Sequence, residues 1–112
     1  MTKIYHNPRC SKSRAALEML NQRDLNPEVI LYLQDPPSVE QLQQLVARSN
    51  ASLLDLVRTN ESIFTELNLA AASEAELYKA VAAHPILLNR PIVETAKGVR
   101  LGRPIEAIDD IL

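Results

Sequence analysis

Cysteine occurs once in these 112 residues, and tryptophan is absent. One thiol excludes an intramolecular disulfide, so a packed core must hold the fold, and a reducing cytoplasm is the expected compartment. The same scarcity argues against zinc. Cys10, His6 and His84 are the only thiol and imidazole groups, and they show no recognised ligand spacing. Aromatic side chains are nearly missing as well: Phe64 and three tyrosines leave Leu, Ile, Val and Ala to build the interior. No apolar run approaches the roughly 20 residues that span a bilayer. The first residues lead directly into a strand-like segment, without a signal-peptide hydrophobic stretch. Charge of one sign is lacking too, and a net −2 offers no general attraction to nucleic acid. These absences predict one domain over residues 1–112, outside the membrane, monomeric, and binding neither nucleic acid nor metal.

What is present is unevenly placed. Arg90, Arg100 and Arg103 crowd the last quarter of a mildly acidic chain, which suits a small anion better than a polyanion. The single cysteine lies in the run His6-Asn7-Pro8-Arg9-Cys10-Ser11-Lys12-Ser13-Arg14, where a strand pattern gives way to a helix pattern. A thiol at a helix N-terminus meets unpaired backbone N–H groups and the positive end of the helix dipole, and both favour the thiolate. A lone intracellular cysteine is otherwise a small buried hydrophobe. The flanking His6, Arg9, Lys12 and Arg14 favour the reactive reading, since a core cysteine needs no cations.

Along the chain, residues 2–5 read as a strand, 11–22 as a helix with Ala16, Leu17 and Leu20 on one face, and 28–33 as a buried strand. This order predicts a right-handed βαβ unit with parallel strands. Ser38 with Gln41, Ser52 with Asp55 and Ser73 with Glu76 are helix-start patterns, so residues 38–84 are expected to form a compact helical insertion. Residues 91–94 and 99–101 then read as a hairpin turning at Ala96-Lys97-Gly98. Pro104 opens a closing helix that carries Ile105, Ile108 and Ile111. The expected class is α/β, a thioredoxin-like mixed sheet of βαβ and ββα halves with the helical insertion between them.

Several blocks occur in one order: His6-Asn7-Pro8 with Cys10 and Arg14, Ile30-Leu31-Tyr32-Leu33 with Pro36-Pro37, and Arg58-Thr59-Asn60. His84-Pro85-Ile86-Leu87, Asn89-Arg90-Pro91-Ile92-Val93 and Arg100-Leu101-Gly102-Arg103-Pro104 follow. In these the chain resembles the glutaredoxin-coupled arsenate reductases, the single-cysteine type with a thioredoxin-like fold. The resemblance implies that Cys10 attacks arsenic, that His6 favours its thiolate, and that Arg58, Arg90 and Arg103 bind the substrate. It implies arsenate as substrate, glutathione as co-substrate, glutaredoxin as partner and no bound cofactor. It also suggests a cis peptide bond before Pro91. Physical chemistry supports the arginines independently, because a thiolate and an oxyanion repel in a dry pocket. Guanidinium groups keep their charge and offer paired donors to oxygen.

Each of these residues also has an ordinary alternative. Arg58 can simply end a helix at the surface, and His6 can satisfy a local backbone group. Arg9 and Lys12 depart from the small or uncharged residues of the family and would lower the Cys10 pKa further or shift substrate preference. The chain also ends sooner than plasmid-type members, beyond every matched functional residue. Two other functions compete. A regulator of the Spx type, contacting RNA polymerase, would carry a second cysteine where Ser13 stands. A general glutathione-dependent thiol oxidoreductase would need the thiolate but not three arginines.

Overall fold

The computed structural model describes residues 1–112. Its strands are β1 (Thr2–Tyr5), β2 (Glu28–Ile30), β3 (Ile92–Thr95) and β4 (Gly98–Leu101). Its α-helices are α1 (Ser11–Gln22), α2 (Val39–Arg48), α3 (Ser62–Glu66) and α4 (Glu74–Ala83). The strands form one mixed sheet in the order β2-β1-β3-β4. β1 pairs parallel with β2, Tyr5 opposite Ile30, and antiparallel with β3, Tyr5 opposite Ile92. β3 and β4 close the hairpin, with Ile92 opposite Leu101. This is the expected mixed α/β arrangement, βαβ followed by ββα.

Side chains alternate across a strand, so neighbouring residues of β1 and β3 serve opposite layers. Ile4 and Val93 face Ala16 and Leu20 of α1 and Ile108 and Ile111 near the C-terminus. Tyr5 and Ile92 face the other way, into a larger core with Leu42 and Leu45 of α2 and Leu77 and Val81 of α4. Fully burying one such aliphatic side chain contributes about 1.5–3 kcal/mol. The central strands therefore hold both layers, and the C-terminal end of β1 and the adjacent N-terminal end of β3 lead into the loops that carry the site.

Local chemistry sets the ends of α2 and α4. Ser38 accepts a hydrogen bond from the Gln41 N–H while the Gln41 side chain accepts from the Ser38 N–H, and Ser73 and Glu76 repeat this reciprocal cap. Glu94 pairs with Arg48, which fastens the end of α2 to β3. At the hairpin, Gly98 has φ +149°, and a Cβ there would lie 3.2 Å from the Arg48 carbonyl oxygen. The turn itself is Ala96-Lys97, so Gly98 opens β4 instead of completing the turn as the sequence pattern suggested.

Three expectations need correction. The strand expected over 28–33 stops at Ile30, because the N–H groups of both Gln34 and Asp35 turn back to the Leu31 carbonyl. It is also an edge rather than a buried strand, with Val29, Leu31 and Leu33 exposed. At Ser52 the capping bonds to Asp55 form, but only a 3₁₀ turn, Leu54–Leu56, follows. The chain leaves the helical path because Val57 bridges to Leu88: Arg58 N–H donates to Leu87 O, and Asn89 N–H to Leu56 O. The closing segment, Ile105–Ile111, is a 3₁₀-helix. With three residues per turn, Ile105, Ile108 and Ile111 fall on one face, and the latter two are buried against α1 and the sheet.

Candidate active site

Cys10 is the residue that caps the N-terminus of α1, with extended backbone angles (φ −93°, ψ 121°). Its carbonyl begins the helix by accepting from the Arg14 N–H, and its own N–H donates to Asn7 O, so the Asn7–Cys10 segment is a tight turn. In this position a serine or aspartate would place an oxygen over the first-turn N–H groups. Here the sulfur occupies that place. The residue is 8% exposed, enough to be reached. Burial pushes the thiol pKa up. Against it stand the Ser13 N–H, the Arg90 guanidinium, the Lys12 N–H and the Arg103 guanidinium, and together they bring it below the ordinary value.

The cations that act on the sulfur are therefore not those beside it in sequence. Arg9 is exposed and does not figure among the groups that shift the thiol, and Lys12 helps only through its backbone N–H. Arg14 turns its guanidinium to the Pro8 carbonyl at 2.9 Å. Arg103 comes instead from the far end of the chain, with Nη2 3.4 Å from the Cys10 Sγ. Its Nε donates to the Arg90 carbonyl at 2.7 Å, which ties the two arginine segments together. Both precede prolines in cis peptide bonds, Pro91 as the resemblance suggested and Pro104 without any signal in the sequence.

Arg58, Arg90 and Arg103 line one polar cavity of about 290 Å³, together with Asn60 and Asn89. The Arg90 Nε in this region is buried without a hydrogen-bond partner. Arg58 is more remote from the thiol. Its guanidinium pairs with Glu61 at 3.0 Å, and it does not figure among the groups that shift Cys10. The third crowded arginine, Arg100, lies elsewhere: its Nη1 donates to its neighbour's carbonyl, and its Nε approaches Asp110 at 3.6 Å.

His6 is 6% exposed, and its Nδ1 lies 2.6 Å from the Ser13 Oγ, which also accepts from the Asn7 N–H. Burial first, and the Arg14 charge second, hold the His6 pKa below its usual value. The ring is thus neutral at neutral pH and brings no charge to the thiol; its Nδ1 bonds to the hydroxyl of Ser13, the residue whose N–H acts on the sulfur. Ser13, fully buried, was not singled out by its type; its signal was its position three residues after Cys10, in the first turn.

Tyr32 is the other residue that pattern reading placed in a strand and the structure places at the site. It is 1% exposed and lines a second cavity with His6, Asn7 and Arg58. Burial raises the phenol pKa, opposed by Arg90, by the Asn7 side chain and by Arg58, and assisted by the negative charge of Cys10. The arrangement is a thiol with a depressed pKa beside Arg103, which also lines an arginine-rich polar space fit for a small oxyanion.

The residue blocks that carry this geometry coincide with those of known proteins. The model of the ArsC family matches residues 5–111. An arsenate reductase of Escherichia coli is 45% identical, over 97% of this chain and 79% of its own. One from Neisseria meningitidis is 41% identical, over 98% and 97%. The solved structure of an arsenate reductase from Vibrio cholerae superposes with a TM-score of 0.95 at 41% identity, covering 99% of this chain and 97% of that one. A correspondence that runs from β1 through Cys10 to the closing 3₁₀-helix shows that this chain belongs to the ArsC family.

Proposed function

We propose that the protein reduces arsenate to arsenite, with Cys10 as nucleophile, His6 supporting its thiolate, and Arg58, Arg90 and Arg103 holding the oxyanion. Glutathione and a glutaredoxin supply the electrons, in the cytoplasm, to a monomeric enzyme. The single observation that carries this reading is the Arg103 guanidinium 3.4 Å from the Cys10 sulfur, on an arginine that lines one cavity with Arg90 and Arg58.

The steps follow from charge and electron count. Thiolate and arsenate are both negative, and the guanidinium groups offset their repulsion as the sulfur forms a bond to arsenic. One arsenate oxygen leaves as water after protonation. The sulfur of glutathione displaces a second oxygen, again as water. A glutaredoxin thiolate then attacks the glutathione sulfur, and the electron pair of the sulfur–arsenic bond stays with arsenic, taking it from As(V) to As(III). The two external thiols depart as a mixed disulfide. Water cleaves the remaining Cys10–arsenic bond, releasing arsenite and the thiol. With one cysteine in the chain, the second and third sulfurs come from outside.

The test is arsenate-dependent NADPH oxidation in the presence of glutathione, glutathione reductase and glutaredoxin, run beside the same assay with a glutathione mixed disulfide in place of arsenate. Turnover with arsenate supports the proposal. Turnover with the mixed disulfide alone assigns the protein to general thiol oxidoreduction.

A further inference from the structure

Arg58 is the common wall of two cavities of different chemistry. On one side lies the polar space it shares with Arg90 and Arg103. On the other lies a groove of about 370 Å³, walled by the Asn7–Arg9 segment, by Leu31–Gln34 and by Ile86. We propose that this groove is the subsite for the thiol co-substrate, a small acidic thiol peptide of the glutathione type, while the oxyanion occupies the polar cavity. The inference rests on the proposed arsenate reduction and adds to it a place for the second reactant.

Two observations select that occupant. The groove carries the exposed Arg9 guanidinium, which has no carboxylate partner, beside Arg58, which is paired with Glu61, and no carboxylate lines it, so its charge complements a peptide bearing free carboxylates. Leu31, Leu33 and Ile86, all 37–45% exposed, stand along it and offer apolar contact that a bare oxyanion cannot use. The volume lies within the range of small-molecule sites, about 300–1,000 Å³. Position completes the case: the Asn7–Arg9 wall runs directly into Cys10, and His6 and Tyr32 line the floor. A thiol held here approaches arsenic bound to Cys10 past Arg58. Its sulfur bonds to arsenic, an arsenic–oxygen bond breaks, and the oxygen leaves as water with the thiol proton.

The deciding variants are Leu33→Asp and Ile86→Asp, exposed positions where a new carboxylate repels an acidic peptide, and Arg9→Ala, with Leu33→Lys as the charge control. In the coupled assay with the full chain, each Asp variant and Arg9→Ala should raise the KM for glutathione roughly tenfold and leave the KM for arsenate within about twofold. Leu33→Lys should hold the glutathione KM near wild type. An unchanged glutathione KM in the Asp variants, or an equal rise for Asp and Lys at position 33, overturns the proposal. So does a rise confined to the KM for glutaredoxin, which assigns the groove to a protein partner. Titration with S-methylglutathione, followed by NMR, reads the groove without turnover. Saturable shifts at Arg9, Leu33 and Ile86 support the subsite even if arsenate is not reduced. Shifts confined to the residues of the polar cavity, or none, reject the subsite even if arsenate is reduced.

Discussion

The two sides of the candidate site are built differently. The Cys10 side is local: the sulfur, the N–H groups of Lys12 and Ser13, and the His6–Ser13 hydrogen bond all fall within eight consecutive residues. The arginine side is assembled from segments around residues 58, 90 and 103, brought together by the Val57–Leu88 bridge and by the Arg103–Arg90 hydrogen bond. The difference separates two tasks. Backbone donors at a helix start stabilise a thiolate in any protein that has one there. Only the distant guanidinium groups add a place for a second negative species. Breaking each side in turn should therefore give different symptoms.

The largest effect belongs to the sulfur. Cys10→Ser should abolish arsenate reduction and leave the circular dichroism spectrum unchanged, because a serine at the start of α1 preserves the cap while its hydroxyl stays protonated at neutral pH. Turnover within tenfold of wild type would show that another group carries the reaction.

The arginine side comes next. Replacing Arg90 or Arg103 with alanine removes a charge-assisted contact of about 1.5–3 kcal/mol, a loss of roughly ten- to a hundredfold in kcat/KM, and lysine should restore only part of it. The same variants should move the thiol itself. Alkylation of wild-type Cys10 by iodoacetamide should rise with pH to a plateau, with an inflection below the 8.5 or so of a free thiol. Removing either guanidinium should shift that inflection upward, because both favour the thiolate. An inflection that stays in place while kcat/KM falls would confine these arginines to the substrate.

Arg58 sharpens the comparison from within the arginine side, since it is held by Glu61 rather than directed at the sulfur. Glu61→Gln should free its charge and lower the KM for arsenate by up to about fivefold, the scale of a partly exposed ion pair. A higher KM would mean that Glu61 is needed to orient the guanidinium.

The smallest effect concerns stability. With its pKa held low by burial and by Arg14, His6 binds fewer protons in the folded than in the unfolded chain at mildly acidic pH. Stability is therefore present above the unfolded value of about 6.5 and declines as pH falls from there toward the folded pKa. Urea midpoints at pH 7.5 and pH 5 should differ more for wild type than for His6→Gln. Equal differences would remove His6 as the origin of the pH dependence.

What was legible beforehand follows the same division. The helix start at Cys10, the reciprocal caps of Ser38 with Gln41 and Ser73 with Glu76, and the hairpin could be read because each depends on residues a few positions apart. The strand over 28–33 was read too long, because nothing in Glu-Val-Ile-Leu-Tyr-Leu shows that Gln34 and Asp35 turn back to Leu31. Ser52 formed its capping bonds, yet the helix stopped after one turn, because the bridge to Leu88 claimed the next residues. Arg9, Lys12 and Arg14 looked like the charges around the thiol only because they adjoin it in sequence.

By itself the sequence determined the single thiol, its place at the start of a helix, and the order of elements that makes a mixed sheet with two apolar layers. Those features arise from short-range hydrogen bonding and from the alternation of apolar residues, which any local stretch of chain carries with it. Tertiary structure alone decided which cations reach the sulfur, that His6 stays neutral, that Tyr32 stands at the site, and that Arg58 divides two cavities. Charge acts through space, and burial depends on every layer around a group. The identity of a neighbour 93 residues away is fixed only when the sheet and its helices have packed.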